Sequence, residues 1–322
     1  MRELVAALLL PLTLVGADDP SVELTFQDPE IIESSGLALV GDWVVTTNDS
    51  GDTGRVFVVD QEGETVGVTG WGDPRDVEAL APAGGGRVWV GDIGDNTAGR
   101  DSIEVSIVPV GGTYADVDGP AYELVYPDGA RDAETLMADP NTGRLYIATK
   151  EIFGGVLYEA PRTLDPDRPN RLREVGEVLP IATDGAFFPD GEHLVVRGYD
   201  AAVVYAFPSL EPVGRIDLPQ QEQGEGLAVT AEGDLLLSTE GQFTDVLRVP
   251  LPDDILAAMG EPVALPSAPG SPSESDRPTT ASREGKDLPE TTEVTRSPYP
   301  WFLGGLVALG IIVVLMRSLR RR

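Results

Sequence analysis

Short apolar runs separated by turn residues recur along the chain, and one local pattern is repeated five times. Each copy has a short apolar run, a turn rich in glycine, proline or aspartate, and a second apolar run that ends on a polar residue. The clearest copy spans residues 131–150, and the others begin at Ser35, Glu78, Asp184 and Glu225. Strand-type repeats at a spacing of roughly 40 to 55 residues are typical of a β-propeller.

The strands that follow each repeat predict the number of blades. Four copies continue with a third and a fourth strand, whereas the fifth has a third strand at 246–249 and no clear fourth. One strand is left over near the start of the chain, at 22–26. Placed at the outer edge of the fifth blade, it completes that blade and closes the ring, which limits exposed strand edges. The sequence therefore predicts an all-β, five-bladed propeller; a six-bladed ring with a divergent blade in residues 111–132 is the alternative.

The two ends of the chain differ in composition from the repeats. Residues 1–17 combine an apolar run with small residues, which is typical of a signal peptide, and an uncleaved anchor is the alternative. Residues 18–262 are the predicted propeller ectodomain. Residues 263–298 are rich in Pro, Ser, Thr and Glu and predict a disordered stalk. Residues 299–317 predict a transmembrane helix, and the basic tail 318–322 places its end in the cytoplasm.

These segments predict a single-pass protein of the cell membrane with its ectodomain outside. Residues 288–292, Leu-Pro-Glu-Thr-Thr, also resemble a sortase sorting signal, in which glycine would stand at the position of Thr292. Attachment to the cell wall through this degenerate motif is therefore the alternative to membrane anchoring.

Charge and composition narrow the chemistry. The chain has 54 acidic and 23 basic residues, a formal net charge of −31, which disfavours nucleic-acid binding and favours cations as partners. It has no cysteine, which excludes disulfides, thiolate nucleophiles and zinc–thiolate sites. The single histidine, His193, lies just after a turn, so a histidine-based triad is not expected. We expect a monomer that binds a small molecule or a cell-surface component.

Propeller geometry sorts the loops onto two faces. The loops before each first strand and those between second and third strands share one face, here named the mouth face. The remaining loops share the opposite face, here named the turn face, and they are ordinary turns such as 141–143. The loops of the mouth face, unlike those of the turn face, hold clusters of charged and amide side chains, so we expect a ligand to bind there. The predicted ligand-binding residues are Asn48, Asp49, Asp52, Arg131, Lys150, Arg197 and Glu240.

Acidic residues stand at the start of four of the five first strands, and they are predicted to converge on the channel opening. Converging like charges repel one another and favour a bound cation, and calcium prefers ligand sets made only of oxygen. The predicted metal ligands are Glu78, Asp92, Asp95, Glu134, Asp184 and Glu225. The alternative is a buried ring of hydrogen bonds and ion pairs that ties neighbouring blades together. No catalytic residue is predicted.

Several motifs occur in a fixed order along the repeats. They are Ser-Gly-Leu-Ala at 35–38, Asn-Asp-Ser-Gly-Asp at 48–52, Asp-Val-Glu-Ala-Leu-Ala at 76–81, Gly-Asp-Ile-Gly-Asp-Asn at 91–96 and Glu-Gly-Leu-Ala at 225–228. Over about residues 30–250 the chain resembles secreted bacterial propellers akin to the SdiA-regulated and phytase-esterase-like propellers. The resemblance implies calcium binding by Glu78, Asp92, Glu134 and Glu225. Neither the phytase nor the lactonase catalytic motif is complete, so the resemblance implies no activity.

The sequence leaves three functions open. The first is a membrane-anchored propeller that binds a ligand at the mouth face, with a divalent cation. The second is a calcium-dependent hydrolase of phosphate esters or lactones, in which Lys150, Arg197 and Arg131 hold the anion. The third is a structural or protein-interaction module at the cell surface.

Overall fold

A computed structural model of the chain describes residues 19–49 and 51–260, which form strands and one short helix. In chain order the strands are β1 Ser21–Thr25, β2 Ser34–Val40, β3 Trp43–Asn48, β4 Gly54–Val59, β5 Thr65–Gly72, β6 Val77–Pro82, β7 Arg87–Asp92, β8 Ile103–Pro109, β9 Tyr114–Asp116, β10 Ala121–Val125, β11 Ala133–Ala138, β12 Leu145–Thr149, β13 Gly155–Glu159, β14 Asn170–Arg171, β15 Arg173–Val178, β16 Asp184–Phe187, β17 His193–Arg197, β18 Ala201–Ala206, β19 Pro212–Asp217, β20 Gly224–Val229, β21 Leu235–Thr239 and β22 Asp245–Val249. The helix, α1, spans Asp253–Met259.

The strands pair into five separate antiparallel blades, as the repeats predict. The blades are β2–β3–β4–β5, β6–β7–β8–β10, β11–β12–β13–β15, β16–β17–β18–β19 and β20–β21–β22–β1. The first strand of each blade lies beside the first strands of the two neighbouring blades, so these five strands surround a central channel. The prediction of a five-bladed propeller is confirmed.

β1, which corresponds to the predicted strand at 22–26, closes the ring. β1 pairs antiparallel with β22, with Leu24 opposite Val246, and so becomes the outer strand of the fifth blade. Leu24 and Phe26 are buried in an apolar cluster that also contains Leu37 and Phe57 of the first blade. β1 and Phe26 thereby join the last blade to the first.

We expect Phe26→Ala to lower the free energy of unfolding by about 3–5 kcal/mol, because it leaves a cavity at this closure. Phe26 has no exposed surface, whereas Val22 on the same segment is 56% exposed. Urea denaturation measures the change, and Val22→Ala is the control, with an effect within about 0.5 kcal/mol. If Phe26→Ala and Val22→Ala lowered the free energy of unfolding equally, closure of the ring would not depend on the burial of Phe26.

The six-bladed alternative is wrong, because residues 111–132 add strands to existing blades. β9 pairs parallel with β5 at the outer edge of the first blade, and β10 is the fourth strand of the second blade. Glycines in β5 permit the close approach: a Cβ atom on Gly67 would lie 2.1 Å from the carbonyl oxygen of Gly111. β14 pairs in the same parallel way with β10.

After the last blade the chain forms α1, which packs against β19 of the fourth blade. Ile255 of α1 is buried against β19, where a Cβ atom on Gly214 would lie 2.6 Å from its Cγ1. Among the described residues, no helix has the length and apolar character needed to cross a membrane. The predicted signal peptide, stalk, transmembrane helix and tail, at 1–17, 263–298, 299–317 and 318–322, lie outside the described residues.

Candidate functional site

β-Bulges shape the channel opening on the mouth face. In β6, β11 and β20 the pairing register shifts at Glu78, at Glu134 and at Glu225, and in β2 it shifts at Ser35. A bulge leaves an extra residue unpaired and re-aims its side chain. β16 pairs with β17 without a shift, and Asp184 stands directly opposite Arg197. Three acidic side chains therefore share one local backbone irregularity, and Asp184 does not.

A cluster of three carboxylates joins the first and second blades. Asp49, Asp76 and Glu78 each offer one oxygen, and these oxygens lie within 4.8 Å of one another. A Cβ atom on Gly94 would lie 2.5 Å from the Asp76 carboxylate and 2.6 Å from Oε1 of Glu78, so a side chain at this position would displace the two carboxylates. Sequence reasoning missed Asp76 as a site residue. The sequence pattern that indicates a role for Asp76 is Asp76-Val77-Glu78, because residues two positions apart lie on the same side of an extended segment.

Glu78 is the most perturbed carboxyl group in the cluster. It is 3% exposed, and its Oε2 accepts a hydrogen bond from Oγ of Ser35 at 3.2 Å. Burial, followed by the negative charges of Glu134 and Asp49, raises the pKa of Glu78 to about 11. Glu78 therefore holds a proton at neutral pH, and a cation bound beside it would take the place of that proton.

Glu134 and Glu225 each bring an oxygen without a hydrogen-bond partner to the same opening. Lys150 donates from Nζ to Oε1 of Glu134, but Oε2 of Glu134 and Oε2 of Glu225 are buried and unpaired within the described part of the chain. Burial raises the pKa of Glu134 to about 8, although Lys150 acts in the opposite direction. Burial also raises the pKa of Glu225. Buried acceptor atoms of this kind are costly unless a ligand satisfies them.

Glu240 and Tyr199 complete the edge of the opening. The side-chain amide of Gln223 donates to both Glu225 and Glu240, and burial with the charge of Glu225 raises the pKa of Glu240 to about 7. Nζ of Lys150 lies 5.4 Å from the centroid of the Tyr199 ring. We name the whole group the acidic mouth; it consists of Asp49, Asp76, Glu78, Glu134, Glu225, Glu240 and Lys150.

Asp184 and Arg197 lie in the interior and join the fourth and fifth blades. Neither has exposed surface. The Asp184 carboxylate accepts hydrogen bonds from the backbone N–H groups of Leu227 at 2.6 Å and Gly185 at 2.8 Å. Arg197 donates from Nη1 to the carbonyl oxygen of Gly226 at 3.0 Å. The geometry of these two residues matches the alternative of a buried polar ring better than a binding site.

Asp92 and Asp95 stabilise the loops next to the carboxylate cluster through hydrogen bonds to backbone N–H groups. Asp92 accepts hydrogen bonds from the backbone N–H groups of Arg75 and Asp76, both at 3.0 Å, and pairs with Arg100 at 2.7 Å. Asp95 accepts from the backbone N–H groups that follow it, including that of Arg100 at 2.8 Å. Both aspartates thus position the loop residues, and Asp92 fixes the backbone of Asp76 directly.

Asn48, Asp52 and Arg131 are likewise engaged with their neighbours. Oδ1 of Asn48 accepts from two backbone N–H groups of the segment before β2, and its amide donates to Asp52 at 2.8 Å. Asp52 pairs with Arg55 at 2.8 Å. Arg131 pairs with Asp128 and Glu151. Asn48 and Asp52 therefore order the loop that carries Asp49, whereas Arg131 belongs to a separate ion-pair group.

Comparisons with known proteins add no family. No protein-family model matches the chain, and no curated protein matches it. A similar solved structure is that of a gluconolactonase from Xanthomonas campestris, with 12% sequence identity and a TM-score of 0.44, covering 69% of this chain and 86% of that chain. The class of this protein is defined by its own strand order: a five-bladed β-propeller whose channel opening is acidic.

Proposed function

We propose that this propeller binds a divalent cation, with calcium as the candidate, in the acidic mouth, and binds its ligand there. The observation that carries the proposal is the carboxylate cluster of Asp49, Asp76 and Glu78 beside the unpaired, buried oxygens of Glu134 and Glu225. These five side chains come from four different blades and converge on one opening. Each supplies the hard oxygen donor that calcium prefers.

The donor set favours calcium over transition metals. Calcium takes six to eight oxygen ligands in a flexible arrangement, and water or a bound ligand can complete the shell. The chain has no cysteine, and His193 lies on the turn face, where its Nδ1 bonds to Asp190 at 2.8 Å. Soft or imidazole ligands are therefore missing from the described mouth.

The proposal includes a location at the cell surface. Its support is the composition of residues 1–17, which resembles a signal peptide, and of residues 299–322, which combine an apolar run with a basic end. If residues 1–17 direct secretion and residues 299–322 anchor the chain in the membrane, the propeller stands outside the cell. Free calcium there reaches the millimolar range in which extracellular modules bind it.

Titration of the purified full chain with calcium by calorimetry tests the cation site. We expect saturable binding that Glu78→Gln weakens by more than about tenfold, because one donor oxygen is lost and metal sites respond at this scale. Glu211→Gln, at an exposed glutamate on the turn face, is the matched control and should bind like the parent protein. Absence of saturable binding, or equal binding by both variants, would overturn the proposal.

A calcium-dependent hydrolase of phosphate esters or lactones is the second candidate. The observation in its favour is Glu134, whose pKa of about 8 suits a general acid or base near neutral pH, in contact with Lys150. Of the three predicted anion holders, Lys150 reaches the mouth, whereas Arg197 is fully buried and Arg131 is paired with two carboxylates.

The hydrolase candidate has a direct test with p-nitrophenyl phosphate and γ-butyrolactone as substrates. Turnover should require calcium, and Glu134→Gln should lower it by about 100-fold or more, since loss of a general acid or base has this size. Glu211→Gln should leave the rate unchanged. No turnover of either substrate would remove the hydrolase candidate and leave cation and ligand binding intact.

A further inference from the structure

A second cavity opens on the turn face, away from the acidic mouth. Its volume is about 550 Å³, and it is lined by the later residues of all five innermost strands. The acidic mouth, by contrast, is built from residues at or near the starts of these strands and from residues that directly follow the second strands. The two ends of the channel therefore carry different side chains although the same strands form both.

The lining of this turn-face cavity is mainly apolar. Leu39, Ala138, Ala186 and Val229 come from four different innermost strands, line the cavity and keep part of their surface exposed. Apolar surface facing a water-filled space is unfavourable, and an apolar ligand would remove it from water. Two of these four residues, Ala138 and Ala186, have small side chains, which leave room for the cavity.

One cationic side chain stands at the edge of the cavity. Arg87, the first residue of β7, is exposed, and its Nε donates to the carbonyl oxygen of Gly84 at 3.3 Å. Among the described residues no carboxylate pairs with Arg87, although acidic residues outnumber basic ones 54 to 23 in the chain. The carboxylate that lines the cavity, Asp139, is 6% exposed and accepts from the N–H of Asn141 and the hydroxyl of Thr142.

We propose that the turn-face cavity binds a small amphiphilic carboxylate, with its apolar body among the innermost strands and its anionic end at Arg87. The volume lies within the range of small-molecule sites, which are mostly apolar with few polar groups. The guanidinium of Arg87 retains donors that match a carboxylate in a two-point contact. This site is independent of the cation site, because it lies at the other end of the channel and uses none of the same residues.

A chain-length series of carboxylates tests the apolar part of the site. Hexanoate, octanoate and decanoate are titrated into the full chain by calorimetry in calcium-free buffer. Affinity should rise by about fourfold for each added methylene group, which is the transfer free energy of a buried methylene expressed as a ratio. Decanol should bind about tenfold more weakly than decanoate, because it lacks the charge that Arg87 recognises. No saturable binding, or affinity independent of chain length, would overturn the proposal.

Variants locate the site. Ala186→Leu should narrow the cavity and weaken decanoate binding, and Arg87→Met, on an exposed side chain, should make decanoate and decanol bind equally. Arg215→Met, at an exposed arginine of β19, is the matched control and should retain the preference for decanoate. Glu78→Gln should also leave decanoate binding unchanged, which separates this result from the fate of the cation site. Retention of the decanoate preference in Arg87→Met would overturn the proposal even if Ala186→Leu failed to fold.

Discussion

Asp184→Ala is expected to lower the free energy of unfolding by about 3–5 kcal/mol, the size seen when one partner of a buried charged group is removed. The carboxylate has no exposed surface and satisfies the backbone N–H groups of Leu227 and Gly185. Alanine would leave both donors buried without an acceptor, and each such group costs about 1–3 kcal/mol. Arg197 would also lose the opposite charge that stands across from it in the ladder.

Urea denaturation of the calcium-free protein measures this loss. Asp217→Ala is the control, because the side chain of Asp217 is 92% exposed, and its effect should stay within about 0.5 kcal/mol. Arg197→Met should destabilise the chain strongly as well, and the double variant should lose less than the sum, because the two residues are coupled. A loss below about 1 kcal/mol for Asp184→Ala, together with weakened calcium binding, would contradict the structural role and restore Asp184 as a metal ligand.

Calcium binding is expected to release protons and to strengthen as the pH rises. Without a cation, burial and neighbouring carboxylates raise the pKa of Glu78 to about 11, of Glu134 to about 8 and of Glu240 to about 7. Below these values the carboxyl groups hold protons, which a bound cation must displace. Each proton released makes the apparent affinity rise by up to about tenfold per pH unit.

Calorimetry in two buffers with different ionisation enthalpies counts the released protons. Glu78→Gln should release fewer protons and bind more weakly, while Glu211→Gln on the turn face should behave like the parent protein. Binding that is independent of pH and releases no protons would place the cation away from the buried carboxyl groups.

Without calcium, the free energy of unfolding should fall as the pH rises, whereas the affinity for calcium should increase. The unfolded state loses the proton of Glu134 near its ordinary pKa of 4.5, whereas the folded state keeps it until about 8. Between these values the folded state binds more protons than the unfolded state, so stability falls as the pH rises. Saturating calcium should reduce this fall, since it stabilises the ionised carboxylates of the folded state.

The ring itself was predictable because its signals are local. Alternating apolar runs and turn residues predict the strands, and the unused strand at 22–26 predicts the closure that β1 makes with β22. The alternative of a sixth blade, which the length of residues 111–132 left open, is wrong. The approach of β9 to β5 depends on glycines at the crossing, and a strand that pairs parallel at an edge leaves no turn signal.

The site was predictable only in part, because side-chain direction depends on register. Glu78, Glu134, Asp184 and Glu225 hold equivalent places in the repeats, but bulges re-aim three of them and leave Asp184 in regular pairing. A shift of one residue sends a side chain to the other face of a strand, and the sequence does not show where bulges form. Asp76 was missed for a related reason, since its position depends on the loop that Asp92 holds.

Anomalous diffraction from crystals of the protein grown with terbium in place of calcium tests the central claim most directly. The account predicts a metal peak between the carboxylates of Asp49, Asp76 and Glu78, on the side that faces Glu134 and Glu225. The same crystals grown from Glu78→Gln should show this peak weakened or lost. A peak elsewhere on the propeller with none in the acidic mouth, or an unchanged peak in Glu78→Gln, would contradict it.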